Sequence, residues 1–341
     1  PVIFDSQELI RLFTLKKLIR DKARSKSQRD SQEKLKGIIS EINNKISGLG
    51  SDFRLSFDRI NFLINTIYLY EEFAVEVLKI IQPKVLFLVA YYSDNFQFSF
   101  INKIKELNGK VVDIQHGKGD VNYKYWNEEY DYLPDYFWAW SESKLLEMQT
   151  NKVLQPILGG SLWMRDYMNK NKIIVDKQTN GRKVLVTFQV GFSHLLLPVL
   201  KPLIKMSPSD WSWFIKFHPV TGEDERKEIR NDLKDFQNLE FQVPEELELY
   251  KLFNLVDFQI TAYSTTAIEG LEFNVPCTIV SNIGGHAFKD LIEKGGLFYS
   301  KDPNKIIELI FLLPKIKGFD NYSVLQDNET TKTTINELFN V

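Results

Sequence analysis

Two histidines stand where strands should end. In "VVDIQHGKGD" (111–120) an apolar run closes on Gln115, His116 and Gly117 before the chain turns charged. In "WFIKFHPV" (213–220) another run closes on His218 and Pro219. The chain has only four histidines, so half of them share this kind of position. An imidazole titrates near neutrality and suits proton transfer or pairing with an anion. Gly117 permits close approach of a ligand or an unusual backbone angle, and Lys118 beside Gly119 suits an anion contact. Lys216 and His218 are two apart and share a strand face, where Lys216 adds positive charge. Pro219 stops the strand. A histidine packed beside a turn or at a sheet edge explains each site more plainly, and both readings stay open on sequence.

A third constellation is "ITAYSTTAIEG" (260–270), where Ser264, Thr265 and Thr266 open a helix carrying Glu269. Free N–H groups, the helix dipole and neighbouring hydroxyls together make a phosphate site. An N-cap accounts for one hydroxyl but not for three in a row. Glu269, one turn inside, is placed to accept from ribose hydroxyls or simply to complement the dipole. Two carboxylates, Asp94 after "VAYYS" and Asp120, are the candidates for a base or nucleophile beside His116. Asp113, three residues before His116, falls on the opposite strand face and is not chosen.

The elements that must position these groups alternate. Runs at 84–90, 110–117, 136–142 and 153–160 read as buried strands, with helical stretches between several of them. The polar stretch 169–182, closed by Asn-Gly, reads as a linker. The pattern then restarts, with strands at 183–189 (ending in Gln189), 211–219, 239–243, 258–264 and 276–281. Helices fall at 195–206, 223–236, 245–256 and 265–273, and "SNIGGHAF" (281–288) reads as a glycine-rich loop. Two Rossmann-like α/β halves result: an N-terminal acceptor-side domain over 1–168 and a nucleotide-binding domain over 183–313. A tail over 314–341 is expected to pack back on the first. The halves are expected to face one another across a cleft. In open α/β sheets, ligands bind beyond the carboxyl ends of the strands, so the polar strand ends would gather there.

The segment 7–45 reads as a charged helix and 59–81 as a second, ended by Pro83. Its basic stripe reads first as a solvated face, with peripheral contact to an acidic membrane surface left open. Across 341 residues, 43 basic side chains offset 45 acidic ones, which gives no global footprint for nucleic acid. A single cysteine, Cys277, rules out an intrachain disulfide and suits a reducing cytoplasm. The chain begins at Pro1 without Met or a signal-peptide pattern, as an excised domain would. His194 and His286 stand alone, so no metal cluster is expected. No G-x-x-x-x-G-K-[ST], G-x-G-x-x-G or G-x-S-x-G signature occurs where it would count.

Taken in order, "YYS…VVDIQHG…LPDYFWAWSE…VLVTFQ…FIKFHP…AYSTTAIEGLEFNVPCTIV" resembles bacterial surface-polysaccharide glycosyltransferases of GT-B fold, over roughly 84–300. Among these it is most similar to capsule and lipopolysaccharide transferases that use CMP-activated acidic sugars such as Kdo and sialic acid. The resemblance implies that His218-Pro219 and Ser264-Thr265-Thr266 hold the nucleotide phosphate. It implies that Gln115-His116-Gly117 faces the sugar and acceptor. The expected partners are a nucleotide-sugar donor, CMP-linked by preference, and a glycan or glycolipid acceptor, with no separate cofactor and no metal. The expected place is the cytoplasm, including the inner face of the membrane. Similar turns occur in CDP-glycerol polymerases and UDP-GlcNAc 2-epimerases, and a non-catalytic glycan-binding subunit is the remaining alternative.

Overall fold

The computed structural model describes residues 26–48, 54–91, 95–118, 133–149, 154–171 and 181–339. Asp94, Gly119 and Asp120, and the N-terminal part of the charged helix expected over 7–45, lie outside the described residues. By contact density the chain divides into two compact units. One comprises Pro1–Asp113 with Lys124–Tyr136, the other Ile114–Tyr123 with Phe137–Val341.

In the first unit, helices Lys26–Gly48, Phe57–Ile81 and Asn95–Glu106 accompany β1 (Val85–Val89) and most of β2 (Lys110–Ile114). Ser56 caps the second helix by accepting from the Arg59 N–H. That helix ends at Gln82 in the left-handed region (φ 45°), one residue before Pro83, because a residue preceding proline is driven out of the helical region. Phe73, Phe96 and Phe100 pack the second helix on the third, with ring centroids 4.9–6.0 Å apart. Asp113 is buried and accepts from the Tyr91 N–H at 3.2 Å. Burial pushes its pKa up to about 7 against the pull of backbone donors at Tyr91 and Ala90. It holds the turn after β1.

The second unit holds β3 (Tyr136–Ala139) from Phe137 onward, β4 (Gln155–Leu158), and a six-stranded sheet. The smaller sheet has the order β1-β2-β3-β4. The larger sheet consists of β5 (Lys183–Thr187), β6 (Ser212–Lys216), β7 (Leu239–Glu240), β8 (Phe258–Thr261), β9 (Cys277–Ile279) and β10 (Phe298–Tyr299). All its pairs are parallel, in the order β10-β9-β8-β5-β6-β7. This is the doubly wound order, whose chain reverses direction between the first and fourth strands, here β5 and β8. Alternate residues Val184 and Val186, Trp213 and Ile215, Phe258 and Ile260 meet Leu196, Leu200 and Leu203 of the helix Ser193–Met206 in one core. Pro198 and Pro202 lie within that helix. Cys277, in β9, is fully buried, and burial pushes its thiol pKa well up.

The helix expected over 245–256 is only Leu249–Phe253, with Glu248 extended before it, and two further segments differ for a clear local reason. The strand expected over 239–243 is only Leu239–Glu240, because Glu240 turns back to accept from the Gln242 and Val243 N–H groups and a helix, Gln242–Glu246, follows. The loop expected at 281–288 is a helix, Asn282–Ala287, capped by Ser281 accepting from the Gly284 N–H. Gly284 is required there for close packing, since a Cβ would lie 2.2 Å from the Ala262 carbonyl oxygen.

The C-terminal segment is stitched to the rest of this unit. The Ser161 N–H donates to Val324 O at 2.7 Å, Gln326 donates to Trp140 O, and the Thr331 hydroxyl donates to Gly159 O at 3.0 Å. Glu272 Oε1 accepts from the Ser323 hydroxyl and from the Val324 and Leu325 N–H groups at 2.7–3.2 Å. Hydrogen bonds to a charged group carry about 1.5–3 kcal/mol each, and losing them together leaves buried donors unsatisfied. Glu272→Ala is therefore expected to destabilise the chain by about 2–4 kcal/mol in denaturant melts, whereas an unchanged midpoint would remove the clamp from the account.

Candidate functional site

The register of the larger sheet decides what meets at its carboxyl edge. Thr187 of β5 pairs with Lys216 of β6 on one side and with Thr261 of β8 on the other, and Thr261 pairs with Ile279 of β9. The four strands therefore end in one row, and the residues that follow them leave the sheet side by side. Gln189, His218, Tyr263–Thr266 and Ser281 all emerge there. The reversal point between β5 and β8 is bridged directly, for Gln189 Oε1 accepts from the Tyr263 N–H at 3.1 Å.

Below this row lies a buried polar knot. Gln259 Nε2 donates to the hydroxyl oxygens of Thr187 and Thr266 at 3.1 and 2.7 Å, and those two hydroxyls lie 3.2 Å apart. Thr261 donates to Thr187 O at 3.0 Å. Thr266 is thus drawn inward to join β5 to β8. Ser264 Oγ accepts from the Thr266 N–H, closing a tight turn before the helix Thr266–Leu271. That helix is six residues long, so backbone groups of the turn count for more than a macrodipole.

Thr265 has a different task. Its Oγ1 accepts from the Lys118 N–H at 2.9 Å, and a Cβ on Gly117 would lie 2.7 Å from the same oxygen. The glycine is needed because the 117–118 backbone lies against the threonine. Gln115 is buried, accepting from the Trp140 N–H and donating to Gly117 O, each at 2.7 Å. Its amide shapes the turn from within. Lys118 Nζ donates to Ala287 O and sits 4.7 Å over the Phe288 ring. Between these anchors His116 is exposed.

His218 is exposed at the end of β6, and His116 is near enough to oppose its charging. Its pKa lies below the ordinary value, first through desolvation and second through His116. Its Nδ1 accepts from the Val220 N–H at 3.3 Å, so the neutral ring carries its proton on Nε2 and presents it as a donor. Arg226 pins the turn from below, donating to Thr221 O at 3.0 Å and to Pro219 O at 3.4 Å. Lys216 donates to Pro244 O and Leu247 O at 2.5 and 2.8 Å, and desolvation holds its pKa below the usual ammonium value. It ties β6 to the loop before the helix Leu249–Phe253.

The residues selected from sequence thus divide. His116, Gly117, Lys118, Gln189, His218, Pro219 and Ser264–Thr266 belong to one compact unit; contacts within it join Gly117 and Lys118 to Thr265, and His116 acts on His218 electrostatically. Gln115 and Lys216 stand just behind that surface. Glu269, in the helix that the Ser264–Thr266 turn opens, lines a cavity and is buried, which raises its pKa, with its Oε1 accepting from the Tyr250 hydroxyl at 2.8 Å. Arg226 and Tyr263 were not singled out from sequence. Arg226 sits four residues past Gly222 in an acidic stretch and reads there as ordinary surface charge.

No protein-family model matches the sequence, and no curated protein does. Solved structures do. Staphylococcus aureus MnaA, solved with UDP, aligns at TM-score 0.57 and 14% identity over 81% of this chain and 80% of that one. UDP-GlcNAc 2-epimerase from Neisseria meningitidis, bound to UDP-GlcNAc, aligns at 0.51 and 15% over 82% of each. Sucrose-phosphate synthase from Thermosynechococcus elongatus aligns at 0.51 and 13% over 82% and 78%. The chain has the GT-B fold. Its doubly wound sheet, with polar groups massed at the reversal point, is the part of that GT-B fold on which a nucleotide site can be built.

The electrostatic influence of His116 on His218 is open to measurement. His116→Ala removes the charge that opposes protonation of His218, so the His218 midpoint is expected to move upward while burial keeps it below the ordinary histidine value. NMR titration of the ring protons reads this directly, and an unmoved midpoint would mean that the rings are not neighbours.

Proposed function

We propose that this chain is a nucleotide-sugar enzyme that transfers a sugar from its nucleotide to a hydroxyl of a bacterial surface glycan. The observation that carries the reading is the convergence of His218, His116 and the Ser264–Thr266 turn at the reversal point of a doubly wound sheet. The donor phosphate lies against the turn and accepts from His218 Nε2–H. As the bond from the anomeric carbon to the phosphate oxygen breaks, its electron pair stays on the phosphate. Fixed donors meet that charge, each contributing about 2–4 kcal/mol in a site closed to water. The acceptor oxygen bonds to the anomeric carbon and its proton passes to His116.

The sequence resemblance favours a CMP-linked acidic sugar. UDP and UDP-GlcNAc are named in similar structures, and they move the preference to a UDP-linked donor. The same similarities favour a second reading, epimerisation at C2 of a UDP-sugar. That chemistry needs an acid and a base on opposite faces of one carbon. The described strand-end groups, two imidazoles and several hydroxyls, suit leaving-group stabilisation and acceptor deprotonation better.

Thermal-shift measurements with CMP, UMP, CDP, UDP, GDP and ADP are expected to show stabilisation by a pyrimidine nucleotide, lost in His218→Ala. His116→Ala is expected to keep that stabilisation and to lower turnover by about 10²–10⁴-fold. Incubation with UDP-GlcNAc alone separates the readings: interconversion with the C2 epimer, without an acceptor, would replace transfer by epimerisation. Stabilisation by none of the nucleotides would sink both.

A further inference from the structure

The turn that carries His218 is held by hydrogen bonds more than by packing. The Thr221 N–H donates to His218 O at 2.9 Å and closes it, with Pro219 at the position its fixed φ favours. His218, Pro219 and Val220 are exposed, Val220 at 73%. Burial of side chains therefore does not orient the peptide group between Pro219 and Val220.

That peptide group is engaged at both ends. Its oxygen accepts from Arg226 Nη2 at 3.4 Å, and its N–H donates to His218 Nδ1 at 3.3 Å. No peptide bond among the described residues is cis. A trans peptide is planar, with its oxygen and its N–H pointing opposite ways, so a hold on the oxygen aims the N–H. A cation at the oxygen also strengthens the N–H as a donor. The guanidinium has a second grip, from Nε to Thr221 O at 3.0 Å, which fixes its plane.

Arg226 is itself well anchored. It lies in the first turn of the helix Glu223–Leu233, and its backbone N–H donates to Gly222 O at 3.1 Å. Its guanidinium carbon stands 5.6 Å from the Phe217 ring, and a nitrogen lies 3.7 Å from Glu245 Oε1. The side chain is 22% exposed. Neutral imidazole has two tautomers, and an N–H aimed at Nδ1 suits only the one with its proton on Nε2.

We propose that Arg226 is a positioning residue, which acts through the planar Pro219–Val220 peptide to hold His218 in the tautomer that presents Nε2–H. What that proton is for, donation to the phosphate of a nucleotide, rests on the function proposed above; the hold on the ring does not.

Proton–nitrogen correlation spectra of the nitrogen-labelled full chain, taken well above the histidine titration range, read the tautomer. The parent His218 is expected to show the Nε2–H pattern. Arg226→Gln and Arg226→Lys are both expected to populate Nδ1–H. The lysine variant keeps the charge and the aliphatic stem, so it is the milder test, but it lacks the fork that reaches two carbonyls. Glu245→Gln, which breaks the ion pair and leaves the carbonyl contacts, is expected to match the parent. The proposal is overturned if the parent ring is not Nε2–H, if both Arg226 variants keep the parent pattern, or if Glu245→Gln shifts it as far as Arg226→Lys. Calorimetry with UDP then reads the consequence, and Arg226→Lys is expected to weaken binding about tenfold. Parent affinity in that variant, despite a shifted tautomer, would also overturn the role in positioning. A parent chain that binds no nucleotide while the tautomer shifts as expected would count against the proposed function and leave the hold on His218 standing.

Discussion

The register of β5 between β6 and β8 is the constraint on which the site rests. Parallel strands pair at a fixed offset, and Thr187 opposite both Lys216 and Thr261 fixes where three loops begin. A shift by one residue would break the pairing of Thr187 with Lys216 and Thr261 and draw the Thr187 hydroxyl away from Gln259. Apolar burial enforces the offset, and the Gln259–Thr187–Thr266 knot reinforces it from the polar side. Gln189, His218 and Ser264 leave the sheet together because this register ends their strands in one row.

A second theme is the division of labour among polar groups. Gln115, Lys118, Lys216 and Thr266 have residue types suited to chemistry, yet the described contacts direct each toward building the site. A polar atom withdrawn from water must be matched by a partner, and in a parallel sheet the available partners are loop carbonyls and neighbouring hydroxyls. Lys216 meets two such carbonyls, and Lys118 meets one together with an aromatic face. The two imidazoles, held at turns and exposed, remain at the surface where a substrate can reach them.

Much of this architecture was legible in the residues. Strands buried on both faces read as unbroken apolar runs, and "KVLVTFQ", "WSWFIKFHP" and "FQITAYS" each became a strand with its polar end in the expected place. Legibility failed where one residue type serves two purposes. Glycines in "SNIGGHAF" suggest a loop, but Gly284 is small because a backbone carbonyl crosses it. Alternation in "LEFQV" suggests a strand, but Glu240 captures the next amides and starts a helix. The clamp from Arg226 and the Tyr250–Glu269 contact join residues 5–19 positions apart through loops, and no periodicity announces such contacts. The nucleotide preference drawn from short motifs leaned toward CMP, since turns such as His-Pro mark a phosphate and say little about the base.

The lone thiol gives the molecule a built-in reporter. Cys277 sits in the interior of the larger sheet, flanked by β8 and β10 and wholly shielded from solvent. A reagent can modify it only after those strands separate, because the native packing blocks both access and ionisation. The rate of alkylation of the unaltered chain therefore counts openings of the sheet, and any ligand that grips the strand ends should slow it without a label having to be engineered.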